Sequence, residues 1–275
     1  MKKILVPIDF SVQSEYAIKL ASKIASETEI EVYLLHLVEL PKGQIDMGIG
    51  SVFGIPQGMH YIQKVKEKIL HIRDTFFDKT TNVKYAIRFE SPYDGILKFS
   101  ARKNPDLIIM GAKELSILEE LLMGSISKKV ARNSKIPVVT VKNDPKDFKI
   151  KELVFASNFQ EENRKSFEVL LDFSQKFGSK IHLLNVNTTR GFKSTKNSKN
   201  QMNEFLKEYE TPKHSINVYN DDSLEKGILN FSKEVNADLI ALSTHERSGL
   251  FRLFNRNISK NLSKSSLRPV ITFLI

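Results

Sequence analysis

Two glycines and a serine stand where a chain can grip an anion. Gly111 follows the apolar run 107–110, which has the length of a buried strand. Gly124-Ser125 closes the loop that comes next, and from there Ile126, Val130 and Ala131 recur at helical spacing. Pro137 stops that helix, and a second apolar strand begins at Val138. A strand, a glycine turn and a Gly-Ser helix start put backbone N–H groups at the carboxyl edge of a parallel sheet, where open α/β sheets bind their ligands. A helix N-terminus in that place suits a phosphate above all. A plainer reading stays open. Gly111 and Gly124 punctuate turns, Gly111 supplying a conformation only glycine takes freely, and Ser125 is an N-cap.

Other chemistry is missing. There is no G-x-x-x-x-G-K-[ST] loop, no G-x-G-x-x-G after a strand, no G-x-S-x-G elbow and no H-E-x-x-H. The six histidines (His36, His60, His71, His182, His214, His245) show no metal spacing, and no spacing pairs a nucleophile with a base. His36, at a strand end, could line a pocket; a hydrogen-bonded core histidine is the simpler account. No Cys is present, so disulfides, a thiol nucleophile and thiolate metal sites are excluded. No catalytic residue and no metal ligand set is assigned, and a dedicated enzyme is the weak reading.

A length of 275 residues suggests two domains, and hydrophobic and charged shares of 41% and 27% are those of a globular protein. No apolar run is long enough for a membrane span, and Pro7 and Asp9 interrupt the N-terminus too early for a signal peptide, so a cytoplasmic location is expected. The net charge of +10 raises nucleic acid as a partner. Yet Lys and Arg are interleaved with Glu along most helices, and only 190–199 (Arg190, Lys193, Lys196, Lys199) forms an acid-free basic patch, in polar sequence expected to be mobile. A solvated basic surface is favoured over specific nucleic-acid recognition.

The chain repeats itself. ILVPIDF at 4–10 resembles LVFASNF at 153–159, an offset of 149 (153 − 4), and Leu34-Leu35-His36 matches Leu183-Leu184-Asn185 at the same offset. Asp106-Leu107-Ile108 matches Asp238-Leu239-Ile240 at an offset of 132 (238 − 106), and Pro137-Val138 matches Pro269-Val270 likewise. The second half is a shortened copy of the first. Strands are predicted at 4–8, 30–38, 83–89, 107–110 and 138–141. The intervening helices start at Ser11 or Ser14, near 59, at Pro92 and at 126. The loop 41–58 holds five glycines (Gly43, Gly48, Gly50, Gly54, Gly58) and four apolar residues, Ile49, Val52, Phe53 and Ile55, that either serve a function or fold back onto the core. In the copy, helices are predicted at 161–177, 202–210, 224–235 and 258–265, and strands at 152–156, 180–186, 215–219, 239–242 and 270–274. Strands alternating with helices give an α/β class with two doubly wound parallel five-stranded sheets, Rossmann-like, in tandem repeat. Domain limits are expected at 1–144 and 150–275. In the strand order 3-2-1-4-5 each fifth strand is an apolar edge, so the two fifth strands, 138–141 and 270–273, are expected to pair in an intramolecular pseudo-dimer.

These residues resemble the universal stress protein family in its tandem two-domain form, whose sheets are adenine nucleotide alpha hydrolase-like. The family's mark, Gly-x-x-Gly-x(9)-Gly-Ser/Thr, stands here as Gly111-x-x-Glu114-x(9)-Gly124-Ser125, with ILVPIDFS, LLHLVE and PVVTV alongside. The resemblance implies a regulatory module that binds ATP or a related adenine nucleotide. By position, Asp9 would meet the base or ribose, Val38 would lie against adenine through its backbone, Gly111 would lie near the ribose, and Gly124-Ser125 would cradle phosphate. Glu114 departs from the pattern. A carboxylate there repels a triphosphate by about 1–4 kcal/mol at contact distance, and a cation such as Mg2+ would reverse the sign. Glu119 and Glu120 share the loop and are expected to face water.

In the copy, Asn158, Ser243, Arg256 and Asn257 replace Asp9, Gly111, Gly124 and Ser125. Nucleotide is therefore expected in the N-terminal half alone. His245 and Arg247 are expected at the surface. Two alternatives stay open: a nucleotide-free scaffold that engages a protein partner through its surface and the 41–58 loop, and a slow ATPase. Homodimerisation of the whole chain is also open.

Overall fold

The computed structural model describes residues 1–39, 55–112, 126–146, 148–189, 191–211, 213–244 and 268–274. They form two compact units, Lys2–Gly111 and Met1 with Ala112–Ile275. The sequence repeat breaks near 144–150. The compact units divide earlier, because the strand after the first copy's last helix hydrogen-bonds the last strand of the second copy.

The first unit holds β1 (Lys3–Ile8), α1 (Val12–Ser26), β2 (Glu31–Leu37), α2 (Ile55–Phe76), β3 (Val83–Arg88), α3 (Pro92–Lys103) and β4 (Leu107–Gly111). Its strands lie in the order β3-β2-β1-β4, all parallel. Ile4, Leu5, Leu34, Leu35 and Ile108 are fully buried, as near-continuous apolar runs covered on both faces require. Helix α2 begins at Ile55 rather than near 59. Pro56 suits a first turn, where no helical hydrogen bond is lost, so the last residues of the predicted glycine loop are helical. The remainder of that loop lies outside the described residues.

The second unit holds α4 (Ile126–Asn133), β5 (Val138–Val141), β6 (Glu152–Ala156), a 3-10 turn (Glu161–Asn163), α5 (Arg164–Phe177), β7 (Lys180–Asn187), α6 (Thr195–Leu206), β8 (His214–Asn220), α7 (Leu224–Glu234), β9 (Leu239–Thr244) and β10 (Val270–Leu274). The strand order is β5-β10-β9-β6-β7-β8. The copy's own strands are parallel in the doubly wound order, and β5 joins β10 antiparallel. The predicted pairing of the fifth strands is thus present. Val139 faces Ile271, and the equivalent threonines exchange bonds: Thr140 Oγ1 donates to Val270 O at 3.4 Å and Thr272 Oγ1 to Val138 O at 3.2 Å. The contact is locally two-fold.

Helix α6 starts at Thr195, well before the predicted 202. Ser194 caps it, accepting from Asn197 N–H, and its only apolar anchors are Met202, Phe205 and Leu206 near the end. A helix whose opening turns are polar gives no periodic signal. Lys196 and Lys199 of the basic patch are therefore helical.

The repeat holds at atomic detail. Asp106 accepts the N–H groups of Lys2 and Lys3 at 2.5 and 2.8 Å, and Asp238 accepts those of Lys151 and Glu152, both at 3.0 Å. Ser91 caps α3 and Ser223 caps α7 through the same third-residue N–H. Gly95 packs against Leu37, and Gly227 against Val186, so closely that a Cβ would overlap the facing methyls.

Candidate functional site

In the first unit β1 lies between β2 and β4, so the direction of winding reverses at the β1/β4 boundary. Ligands of open α/β sheets bind at such a switch point, outside the carboxyl ends of the strands. Asp9 follows β1 there. It is exposed, and Oδ1 accepts the Ser11 N–H at 2.9 Å. Ser11 is the N-cap of α1, its Oγ accepting from Ser14 N–H at 3.2 Å. Between them Phe10 has φ of 63°, a left-handed conformation unfavourable for a bulky side chain. That turn lays the Phe10 ring on His36, with centroids 4.6 Å apart, and the ammonium of Lys68 from α2 sits 5.4 Å from the Phe10 ring centroid. Lys68 is a cation at this edge that sequence spacing did not reveal. His36 is 8% exposed, and since Ile8 O can only accept, Nδ1 is the donor in the 2.9 Å bond between them. It is the hydrogen-bonded core histidine favoured from the sequence.

Gly111 ends β4, on the other side of the switch point. Its φ is not positive; among the described glycines only Gly178 has that conformation. A Cβ at Gly111 would instead overlap the Gln13 carbonyl and lie 2.8 Å from Ser14 N. The glycine is needed because the first turn of α1 packs directly on the strand end, which corrects the turn-conformation argument. Val38 is buried just past β2, and its N–H donates to Arg88 O at 2.8 Å. Any contact of Val38 with a base is left to its other atoms. The structure thus brings Asp9 and Gly111 to the two strand ends that frame the switch point. Gly124, Ser125, Glu114, Glu119 and Glu120 lie outside the described residues, as do His245, Arg247, Arg256 and Asn257.

The same corner of the copy is linked by amides, with Asn158 itself exposed. Asn158, at the position of Asp9, accepts on Oδ1 from Asn163 Nδ2 at 2.7 Å and from Gln160 N–H at 3.2 Å; its Nδ2 donates to Gln160 Oε1 at 3.2 Å. Gln201 from α6 donates to Asn158 O at 2.8 Å and accepts from Lys193 Nζ at 3.0 Å. Phe159 repeats the left-handed turn with φ of 55°, but its ring packs on Phe155 and Phe205 in an aromatic cluster with Phe167 and Tyr209. Arg164 lies over Phe205 and Tyr209 and is ion-paired to Glu161 and Glu208. Ser243, at the position of Gly111, is buried with an unbonded hydroxyl, and the copy's helix opens with a 3-10 turn instead of a regular one.

One array escaped the sequence because its members come from three strands. His182 on β7 has Nε2 2.6 Å from Glu152 Oε2 and Nδ1 2.7 Å from Ser215 Oγ. The carboxylate can only accept, so Nε2 carries a proton, and in the neutral ring Nδ1 accepts the Ser215 hydroxyl hydrogen. Asn217 donates to the same Oγ at 2.9 Å, and Phe231 lies edge-on to the ring. Every group in the array is satisfied, and it ties β6, β7 and β8 together as a cross-strand brace. Among the described residues no group of His, Asp and Glu could hold a metal ion, and no helix is long and apolar enough to cross a membrane.

The family model for the universal stress protein family matches residues 1–142. The chain belongs to the universal stress protein family. A universal stress protein of Methanocaldococcus jannaschii is 31% identical over 153 residues, covering 51% of this chain and 94% of that one. One from Bacillus subtilis is 28% identical over 148 residues, covering 51% and 98%. The crystal structure of a universal stress protein from Archaeoglobus fulgidus superposes with a TM-score of 0.71 at 19% identity, covering 99% of this chain and 96% of that one, which shows the fold along nearly the whole length.

Proposed function

We propose that the chain is a regulatory module of the family that binds ATP or a related adenine nucleotide at the β1/β4 switch point of its first copy only. The observation that carries this reading is the contrast at the strand ends. Asp9 is an exposed carboxylate beside a helix start held against Gly111, whereas the copy has the likewise exposed but uncharged Asn158, bonded to Gln160 and Asn163, and Ser243 in place of the glycine. In this reading the Asp9 carboxylate accepts from a ribose hydroxyl or the base. Lys68 draws the anionic ligand to the edge, and Val38 borders the base. Gly124-Ser125 cradles phosphate with N–H groups. Glu114 would help to hold a Mg2+ ion, which would offset its repulsion of the phosphates. The repeat units are 1–144 and 150–275, the second a nucleotide-free copy, and the protein works in the cytoplasm on a protein partner. Native mass spectrometry of protein purified without added nucleotide tests this: one adenine nucleotide per chain is expected. An empty chain that also fails to take up ATP with magnesium would overturn it. Turnover lost in Asp9→Asn would convert the reading to a slow ATPase.

A further inference from the structure

We propose that the outer edge of β3 receives an extended acidic segment of a partner protein as an added strand. Among the described residues β3 pairs only with β2. The ladder's phase is fixed at both ends: Val32 N–H donates to Asn82 O at 2.9 Å and Val38 N–H to Arg88 O at 2.8 Å. The even-numbered residues 82–88 therefore face β2, and Val83, Tyr85 and Ile87 turn their N–H and C=O groups outward. Such a row is a template for another strand.

The charge around this row selects the partner. An open hollow of about 470 Å3 runs along β3 and is lined by Arg73, Lys84, Arg88 and Lys103 with Tyr33 and Tyr85, and no carboxylate among the described residues lines it. Glu31 holds Lys84 at 2.5 Å and Asp74 holds Arg73 at 2.7 Å, while Arg88 and Lys103 have no carboxylate partner among the described residues. Lys103 and Lys84 both stand over the Tyr33 ring, at 5.6 and 5.8 Å from its centroid. Strand alternation puts Lys84 and Arg88 on that face, and Val83 and the exposed Tyr85 on the other. An added strand would thus meet cations with every second side chain and an apolar and aromatic surface with the rest. The fitting sequence alternates Asp or Glu with Val or Ile.

Two other occupants fit less well. A second copy of this chain pairing through its own β3 would set Lys84 and Arg88 against themselves. A single-stranded nucleic acid would meet the cations, but its phosphate oxygens would face the outward carbonyls, acceptor against acceptor.

The test titrates the peptide acetyl-Asp-Val-Glu-Val-Asp-Val-Glu-amide into the full chain, followed by backbone amide NMR and hydrogen exchange. The expected result is saturable binding with new protection at Val83, Tyr85 and Ile87. Affinity should fall at least tenfold in Arg88→Glu/Lys103→Glu, whose side chains have no described ion pair to lose. Tyr85→Pro removes one outward N–H and should abolish binding. A version N-methylated at alternate residues keeps every charge, needs no change in the protein, and should not bind. Equal binding of the N-methylated peptide would reduce the effect to charge and overturn the proposal. So would the absence of binding at millimolar peptide, or occupation of the same residues by an oligothymidylate that the acidic peptide does not displace.

Discussion

The turn after β1 and the turn after β6 begin alike and end differently. Both put a phenylalanine in the left-handed region, Phe10 and Phe159, before a helix. Because both copies keep it, the strain belongs to the strand-to-helix turn and not to a ligand. What differs is the company. Asp9 is exposed, beside the Phe10–His36 stack and Lys68, and Gly111 lets α1 pack on the strand end. Asn158, exposed as well, is bonded to Gln160, Asn163 and Gln201, the Phe159 ring joins an aromatic core, and Ser243 stands where the glycine was. The same turn can carry an exposed carboxylate or a network of amides, and the choice of a few side chains decides which.

The sharpest way to break the comparison is at the strand ends. Gly111→Ala should destabilise the first unit by about 3 kcal/mol, since the new Cβ meets helix backbone and not a flexible side chain. Ser243→Ala in the copy should be neutral or slightly stabilising, because it removes a buried hydroxyl with no partner. Thermal unfolding of the two variants side by side checks both; equal losses would remove the distinction between the two corners.

A smaller effect should come from the amide network. Asn163 is 2% exposed and donates to Asn158 Oδ1, so Asn163→Ala should cost about 1–3 kcal/mol. The equivalent change in the first copy, Ser14→Ala, removes a local bond to Ser11 O and should cost about 1 kcal/mol or less. Denaturant midpoints decide between the two orders.

The smallest effect is electrostatic. The hydrogen bond from Lys84 holds the Glu31 carboxyl below its ordinary value of 4.5, against the opposing effect of burial. A lowered folded pKa contributes stability that is present above that ordinary value and is lost as pH falls through the folded one. The first unit should therefore lose stability below about pH 4.5, and Lys84→Met should make that acid limb shallower. At the position of Glu31 the copy has Lys180, so this feature has no counterpart there. An unchanged acid limb in Lys84→Met would show that the pair contributes nothing.

The sequence made the sheet readable because buried parallel strands are written as apolar runs: 4–8, 107–110 and 138–141 fall within a residue of β1, β4 and β5. The repeat and the pairing of the fifth strands were readable for the same reason. The starts of α2 and α6 were not, since Ile55-Pro56-Gln57-Gly58 reads as loop and 195–201 as solvent-facing linker. Asp9 and Gly111 were located by motif spacing, but the reason for the glycine required the position of Gln13. Lys68 and the Ser215–His182–Glu152 brace were invisible, because nothing in the chain order marks residues that meet only across strands and helices.

The central claim is that the two copies differ in their capacity for nucleotide, and titration calorimetry of the full chain with ATP and magnesium tests it most directly. One site per chain is expected. Asp9→Asn removes a hydrogen bond to a charged group, about 1.5–3 kcal/mol, and should lower the affinity about ten- to a hundred-fold. Asn158→Asp should leave the affinity unchanged. Two sites per chain, or one site weakened by Asn158→Asp and untouched by Asp9→Asn, would contradict the account.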